Sequence, residues 1–237
     1  HFFQRLFTSQ FDGVFIHMSP IWVVLGGWWW RLTNQRVVLW YTHGSTSVAL
    51  QIALLFSHAV FTATKKAFPI RSKKVHVVGH GISPQFGDVQ RTSLHQGNRL
   101  LANGRISSRK AVEETIRFFQ KIRIQRPDAT LTWVGEPLTD ADKEYRDVIM
   151  RRLESERLLQ GVSFLGKRSF QDLPEIYAKH DLLLHFSKTG SLDKVVLEAL
   201  ASGCAVMSTN SATSEAVPDA YWDGALDDTA VVEAIHR

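Results

Sequence analysis

The sequence predicts an α/β protein made of two Rossmann-like, doubly wound parallel sheets facing a cleft, and three observations predict it. Short apolar runs alternate with amphipathic segments of helical period, the order that a parallel sheet covered on both faces requires. A chain of 237 residues can bury two modest cores. An apolar content of 44% with 22% charged residues belongs to folded domains and not to disorder. Ligands of such folds lie off the carboxyl ends of the strands, so chemistry is sought there.

In chain order, FDGVFIHM reads as a buried parallel strand ending at a turn. It opens an eighteen-residue run, Gly13 to Trp30, without Asp, Glu, Lys or Arg. That is near the length that spans a bilayer, but His17, Ser19, Pro20 and three glycines interrupt it, which favours a core strand followed by an apolar loop or helix. The continuation, IWVVLGGWWWRL, sets clustered Trp beside Arg31, a composition that suits a core, a stacking surface or a membrane interface. RVVLWYTHG, the apolar helix VALQIALLFSH, AVFTAT and KVHVVGHG complete a first domain over residues 1–87. ISPQFGDVQRTSLHQGN has little apolar periodicity, and the linker is placed at residues 88–97. The second domain, residues 98–237, runs through LLANGRI, KAVEETIRFFQKIRIQ, TLTWVG, DADKEYRDVIMRRLESERLL, VSFLG, SFQDLPEIYAKH, DLLLHFS, LDKVVLEALAS and CAVMSTN.

The single cysteine, Cys204, excludes an internal disulfide and a thiolate zinc cluster, so a reducing, cytoplasmic setting is expected. Charge is unevenly divided. Residues 1–97 carry nine Lys and Arg against two Asp and Glu, a balance of +7, whereas residues 98–237 carry 19 against 21, a balance of −2. A basic first half fits an anionic partner such as lipid headgroups at the inner face of the plasma membrane. No helix-turn-helix, finger or aromatic RNA-binding motif accompanies the charge, so nucleic acid is not expected.

NGRISSRKAVEET follows a strand and opens a helix, with Arg105, Arg109 and Lys110 at the junction. Exposed cations there oppose the helix dipole by about 0.3–1 kcal/mol each, a cost that a bound anion reverses. A nucleoside diphosphate held by helix amides, Arg105 and Lys110 fits; a solvated helix end capped by Ser107 or Ser108 is the alternative. TGSLDKVVLEALASGCAV places Leu192, Val195, Val196, Ala199 and Leu200 on one apolar face and Lys194 with Glu198 on another. Lys ahead of Glu is the weaker ion-pair order, which leaves room for a ligand role. The amides of Gly190, Ser191 and Leu192 are candidates for a phosphate or sugar oxygen. His43 lies at a strand end before Gly44, with His17 as a second candidate, while His58 and His80 read as structural. TDAD, Thr139 to Asp142, has the Asp-x-Asp spacing of some metal sites but opens a helix, where acids cap; no metal is expected.

GRISSRK, WVGEP, GVSFLGKRSFQDLPEIYAKHDLLLHFS and above all GSLDKVVLEALASGCAVMSTN, in this order and at these separations, resemble the retaining GT-B glycosyltransferases, the large family 4-like, group 1 set related to bacterial mannosyl- and glucosyltransferases. The resemblance covers essentially the whole chain. It implies that Arg105 and Lys110 hold the donor pyrophosphate and that Glu198, the second Glu of a Glu, seven residues, Glu pattern, holds the nucleotide ribose. The first Glu of that pattern falls at Gly190, a departure. Its contact with the donor sugar is assigned to Asp193, or to the backbone of Gly190 to Leu192. His43 takes the place of a family histidine near the donor sugar. The family's glycine-rich first strand has no counterpart here, so the N-terminal domain is expected to be incomplete, and the C-terminal end truncated.

The implied reaction moves a sugar from a nucleotide-sugar to an acceptor hydroxyl, on a glycan or lipid-linked acceptor, with retention and without a metal or other cofactor. Two alternatives are a nucleotide-sugar binding protein impaired by the loss at Gly190, and a sugar-nucleotide epimerase of similar architecture.

Overall fold

The computed structural model describes residues 4, 6, 7, 11–90, 97–187 and 191–236. The chain divides into two compact units, His1–His80 with Gly190–Leu192, and Gly81–Thr189 with Asp193–Arg237. Each contains one parallel sheet with interleaved helices, the α/β class read from the alternation.

The first unit holds β1 (Gly13–His17), α1 (Pro20–Leu32), β2 (Arg36–Trp40), α2 (Val48–Phe56), β3 (Ala59–Thr62) and β4 (Val75–Val77). Its strands run parallel in the order β1-β2-β3-β4. Proline at the start of α1 occupies a position whose N–H would have no helical partner, and Ser47 caps α2 by accepting from the Leu50 N–H at 3.1 Å. The two helices approach closely at Gly27, where an added Cβ would stand 2.6 Å from Phe56 Cβ. Val23, Trp30, Val37, Leu39 and Leu50 form the core.

One expectation is corrected here, and two others are made more definite. β1 is not a buried strand: it is an edge, paired among the described residues with β2 alone, and its Phe15 is 62% exposed. IWVVLGGWWWRL is a helix that is both core and surface, with Trp30 buried while Trp22 and Trp28 are more than two-fifths exposed. His58 lies beyond the end of α2, and its Nδ1 accepts the Val37 N–H at 2.9 Å, a structural role.

The second unit opens with the single turn α3 (Gln85–Asp88) and continues through β5 (Arg99–Asn103), α4 (Val112–Gln125), β6 (Thr130–Val134), α5 (Asp140–Ser155), β7 (Val162–Gly166), α6 (Leu173–Ala178), β8 (Leu182–His185), α7 (Lys194–Ala201), β9 (Ala205–Ser208), α8 (Thr213–Ala216) and α9 (Asp228–His236). Strand order is β7-β6-β5-β8-β9, all parallel. Succession therefore reverses between β5 and β8, the switch point at which open α/β sheets bind ligands. Neighbouring residues of one strand enter opposite cores: Leu100, Ala102, Leu182 and Leu184 pack with α4 and α5, while Leu101 and Leu183 pack with Tyr177, Val196 and Ala199. Alternation of this kind is what two covered faces require.

Residues 81–87, assigned from the sequence to the first domain, pack in the second unit. Phe86 is fully buried beside Leu101, Tyr177 and Val196, and the Ser202 hydroxyl donates to its carbonyl at 3.1 Å. One aromatic in a polar stretch carries too little periodicity to announce this. Most of the expected linker, residues 91–96, lies outside the described residues.

Two local features fix the strand ends. Asp181, 2% exposed, accepts the Arg99 guanidinium at 2.8 Å and the backbone N–H groups of Asn98 and Arg99, tying the start of β8 to the start of β5. At the opposite end, Gly135 has φ +127°, and an added Cβ would fall 2.2 Å from the Gly104 carbonyl oxygen. That oxygen accepts the Trp133 indole N–H at 2.9 Å, and the Gly104 N–H donates to Val134. The loop bearing Arg105 and Lys110 is thus anchored at its first residue. Cys204 is 1% exposed in the core between α7 and β9.

Candidate functional site

A cluster of polar side chains gathers at the carboxyl ends of β5, β8 and β9. Residues Ser108–Lys110 form a single 3-10 turn, and Ala111, with φ 51°, separates it from α4. Lys110 is therefore not in the first turn of the helix, as the sequence reading had it; that turn carries Glu113 and Glu114. The left-handed residue turns the chain so that the Lys110 ammonium donates to Asp193 Oδ2 at 3.0 Å and to Ser187 Oγ at 3.4 Å. Arg105 is exposed on the loop between β5 and the turn. Neither serine caps the turn: Ser107 has no capping hydrogen bond, and its Oγ is buried with no partner among the described residues. A buried hydroxyl without a partner costs on the order of 1–3 kcal/mol unless a ligand satisfies it.

Asp193 is the N-cap of α7 and receives two donors on one oxygen, Lys110 at 3.0 Å and His185 Nε2 at 2.9 Å. Burial works to raise its carboxyl, but the His185 hydrogen bond and the Lys110 ammonium outweigh it and hold the group at about 2. Asp193 is ionised at neutral pH. His185 is buried at the end of β8, and its Nδ1 lies 2.9 Å from Ser208 Oγ. Behind Lys110 and His185 a cavity of about 10 Å³ is shared with Asn103 and Ser187. It holds about one water, so any nucleotide must lie outside it.

Lys194 and Glu198, which the spacing set on one face, differ in exposure. Lys194 is exposed, but Glu198 is 6% exposed and accepts the Tyr177 hydroxyl at 3.3 Å. That hydroxyl also accepts from Asn103 Nδ2 at 2.6 Å. Burial, opposed by the Tyr177 hydrogen bond and Lys194, pushes the Glu198 carboxyl up. A chain from Asn103 through Tyr177 therefore holds a carboxylate beside the same strand end as the Lys110 loop.

Of the remaining candidates, Ser191 and Leu192 directly precede Asp193, and Gly190 lies outside the described residues. His43 belongs to the first unit, in the segment after β2; it is exposed, and its Nδ1 accepts the Ser45 N–H at 3.2 Å. His17 ends β1 and is exposed. TDAD is a capping box: Thr139 Oγ1 accepts the Asp142 N–H, and Asp142 accepts the Thr139 N–H. Among the described residues no three His, Cys, Asp or Glu come together as a metal-binding set.

A model of the glycosyl transferases group 1 family matches residues 97–237, the whole polar cluster included. The chain belongs to this family. Mannosylfructose-phosphate synthase of Agrobacterium fabrum is 26% identical over 147 residues, which is 57% of this chain and 32% of that protein. The chain thus spans about a third of the curated relative it matches. Among solved structures, OtsA in its apo form aligns with a TM-score of 0.70 at 13% identity, covering 99% of this chain and 66% of that one. Anabaena Alr3699/HepE in complex with UDP aligns with a TM-score of 0.67 at 17% identity, covering 82% and 59%. The fold of this glycosyl transferases group 1 chain is GT-B.

Within the family match, sequence reasoning found Arg105, Lys110, Asp193 and Glu198 but passed over His185, Ser208, Tyr177 and Asn103. DLLLHFS offered one signal, a histidine at the end of an otherwise apolar strand.

Proposed function

We propose that this chain transfers a hexose from a nucleotide-sugar donor to an acceptor hydroxyl with retention of configuration, and that the second unit holds the donor. The observation that carries the reading is the Lys110 turn. The Lys110 cation stands at the carboxyl ends of the strands at the β5/β8 switch point, and the turn that carries it is preceded by Ser107, whose buried hydroxyl has no partner among the described residues. Lys110 and Arg105 bind the diphosphate, and Glu198, held by Tyr177, accepts from the ribose. Asp193 contacts the donor sugar, and His43 is a second candidate for the catalytic step. The chemical difficulty is charge on the leaving diphosphate. A well-placed donor to a developing oxyanion contributes about 2.7–4 kcal/mol in other enzymes, and two cations with helix amides do this work without a metal.

The test is calorimetric titration of the chain with UDP, GDP and ADP, with and without EDTA. HepE was solved with UDP, which makes UDP the first probe. Binding by one of the three, unchanged by EDTA, is expected; no binding at millimolar nucleotide to folded protein sinks the donor site. EDTA-sensitive binding restored by manganese would return TDAD to consideration as a ligand.

The first unit is proposed to rest on an anionic membrane surface and to receive its acceptor there. Between Gly13 and His80 there is no Asp or Glu, and Trp22 and Trp28 are 43% and 42% exposed on α1. Among the described residues no helix is long and apolar enough to cross a membrane, and the attachment proposed is a peripheral one. Each basic residue near such a surface adds about 1 kcal/mol within a Debye length. Flotation with anionic vesicles should fall as salt rises and fall further with Trp22→Ala and Trp28→Ala. No flotation at low salt means a soluble acceptor.

A further inference from the structure

A line of buried hydrogen bonds runs behind Asp193. Ser208 Oγ lies 3.1 Å from Thr213 Oγ1 and 3.2 Å from the Asn210 backbone nitrogen. The same oxygen is 2.9 Å from His185 Nδ1, and His185 Nε2 is 2.9 Å from Asp193 Oδ2. Ser208 and Thr213 are wholly buried and His185 is 4% exposed. The Asp193 carboxylate only accepts, so Nε2 carries the proton. With the imidazole neutral, Nδ1 accepts from the Ser208 hydroxyl, whose oxygen takes the Asn210 N–H and the Thr213 O–H; with the ring doubly protonated, Nδ1 would donate to Ser208 instead. Every group along the line is satisfied with the imidazole neutral.

The order Ser, His, Asp invites comparison with a nucleophilic triad, but Ser208 has no surface to offer a substrate. Its hydroxyl stays within the buried line it forms with His185, Thr213 and Asn210. What remains at the accessible end is Asp193, whose Oδ2 receives both His185 and Lys110 while Oδ1 receives neither.

We propose that His185 is a positioning residue for the donor sugar: locked as the neutral Nε2–H tautomer by Ser208, Thr213 and Asn210, it pins Asp193 through Oδ2 and leaves Oδ1 to accept a sugar hydroxyl. This rests on the donor-site reading above. The pairing gives one carboxylate two tasks. It keeps the ammonium of Lys110 in place before a diphosphate arrives, and it presents an oriented acceptor in a chain whose sequence has Gly190 where the family pattern has its first Glu. Without His185 the aspartate would be held by Lys110 alone, and would follow that side chain when the diphosphate draws it away.

The experiment has two arms on the full chain. In the first, nitrogen NMR of histidine-labelled protein at neutral pH reads the His185 ring. A protonated Nε2 with an unprotonated Nδ1 is expected, with the preference weakened by Ser208→Ala. A doubly protonated ring, or the Nδ1–H tautomer, overturns the proposal. In the second, calorimetry compares UDP with UDP-glucose, and GDP with GDP-mannose, on wild type, His185→Leu and His185→Gln. His185→Leu should cost the nucleotide-sugar roughly tenfold more than the bare diphosphate, the size of one lost hydrogen bond. His185→Gln, whose amide N–H can reach Asp193, should restore most of it. Equal losses for sugar-bearing and bare nucleotide, or a glutamine as poor as leucine, would reduce His185 to a packing residue. If His185→Leu does not fold, Ser208→Ala takes its place and should show the same selective loss in smaller degree. Failure of wild type to bind any nucleotide overturns the donor-site reading and the sugar contact with it. The ring spectrum would still decide whether His185 holds Asp193.

Discussion

Lys110→Ala should lower affinity for the nucleoside diphosphate by roughly 10- to 100-fold and leave affinity for the free nucleoside nearly unchanged. A hydrogen bond to a charged group is worth about 1.5–3 kcal/mol, and each 1.4 kcal/mol is about tenfold. The loss should fall at the upper end, because removing the ammonium leaves the ionised Asp193 facing the diphosphate with less compensation. Arg105→Ala should act in the same direction but more weakly, since that side chain is exposed and bears its charge in higher dielectric. Calorimetry on the two variants with diphosphate and nucleoside checks both. Equal losses for the two ligands would mean that neither cation touches the phosphates.

Asp181→Ala should destabilise the second unit by about 1.5–3 kcal/mol, the range for hydrogen bonds to a charged group, because Arg99 is 33% exposed and can turn to water. The carboxylate is 2% exposed and collects the Arg99 guanidinium and two backbone N–H groups at the junction of β5 and β8. Its removal takes that acceptor from the two backbone N–H groups at the amino ends of the strands whose carboxyl ends carry the polar cluster. At about 2–4 °C per kcal/mol for a chain of this size, the melting temperature should drop by several degrees. Asp181→Asn, which keeps an acceptor, should lose less. A loss below about 1 kcal/mol would show that the junction is held by its apolar neighbours alone.

The two cases differ in how visible they were beforehand. Alternation of apolar and amphipathic segments is a local signal, and it placed every strand of the second unit and the loop that carries Arg105 and Lys110. TDAD could be read as a cap because capping is decided within four residues. His185 could not be read in the same way. Its partners Ser208 and Asp193 meet it only because β9 lies beside β8 and α7 starts over their ends. The burial of Glu198 was not legible for a geometric reason: a wheel assigns residues to faces, but α7 packs on both β9 and α6, so the side away from the sheet is still partly covered. Tyr177 on α6 meets Glu198 there, and Lys194, one turn earlier, escapes to solvent. β1 shows the same limit in the first unit. Its apolar content marks it as a strand, but its place at the sheet edge depends on which strands pair with it.

The sole thiol has a practical consequence. Cys204 sits directly after α7 and is 1% exposed among Val196, Ala199 and Val206. A maleimide or iodoacetamide cannot reach it until α7 lifts from β9, so the alkylation rate of the folded chain counts those openings one molecule at a time. Because α7 begins at Asp193 and carries Glu198, a nucleotide gripping both would slow the labelling in proportion to its occupancy. The buried sulfur is in that sense a built-in clock for the opening of α7 in the second unit.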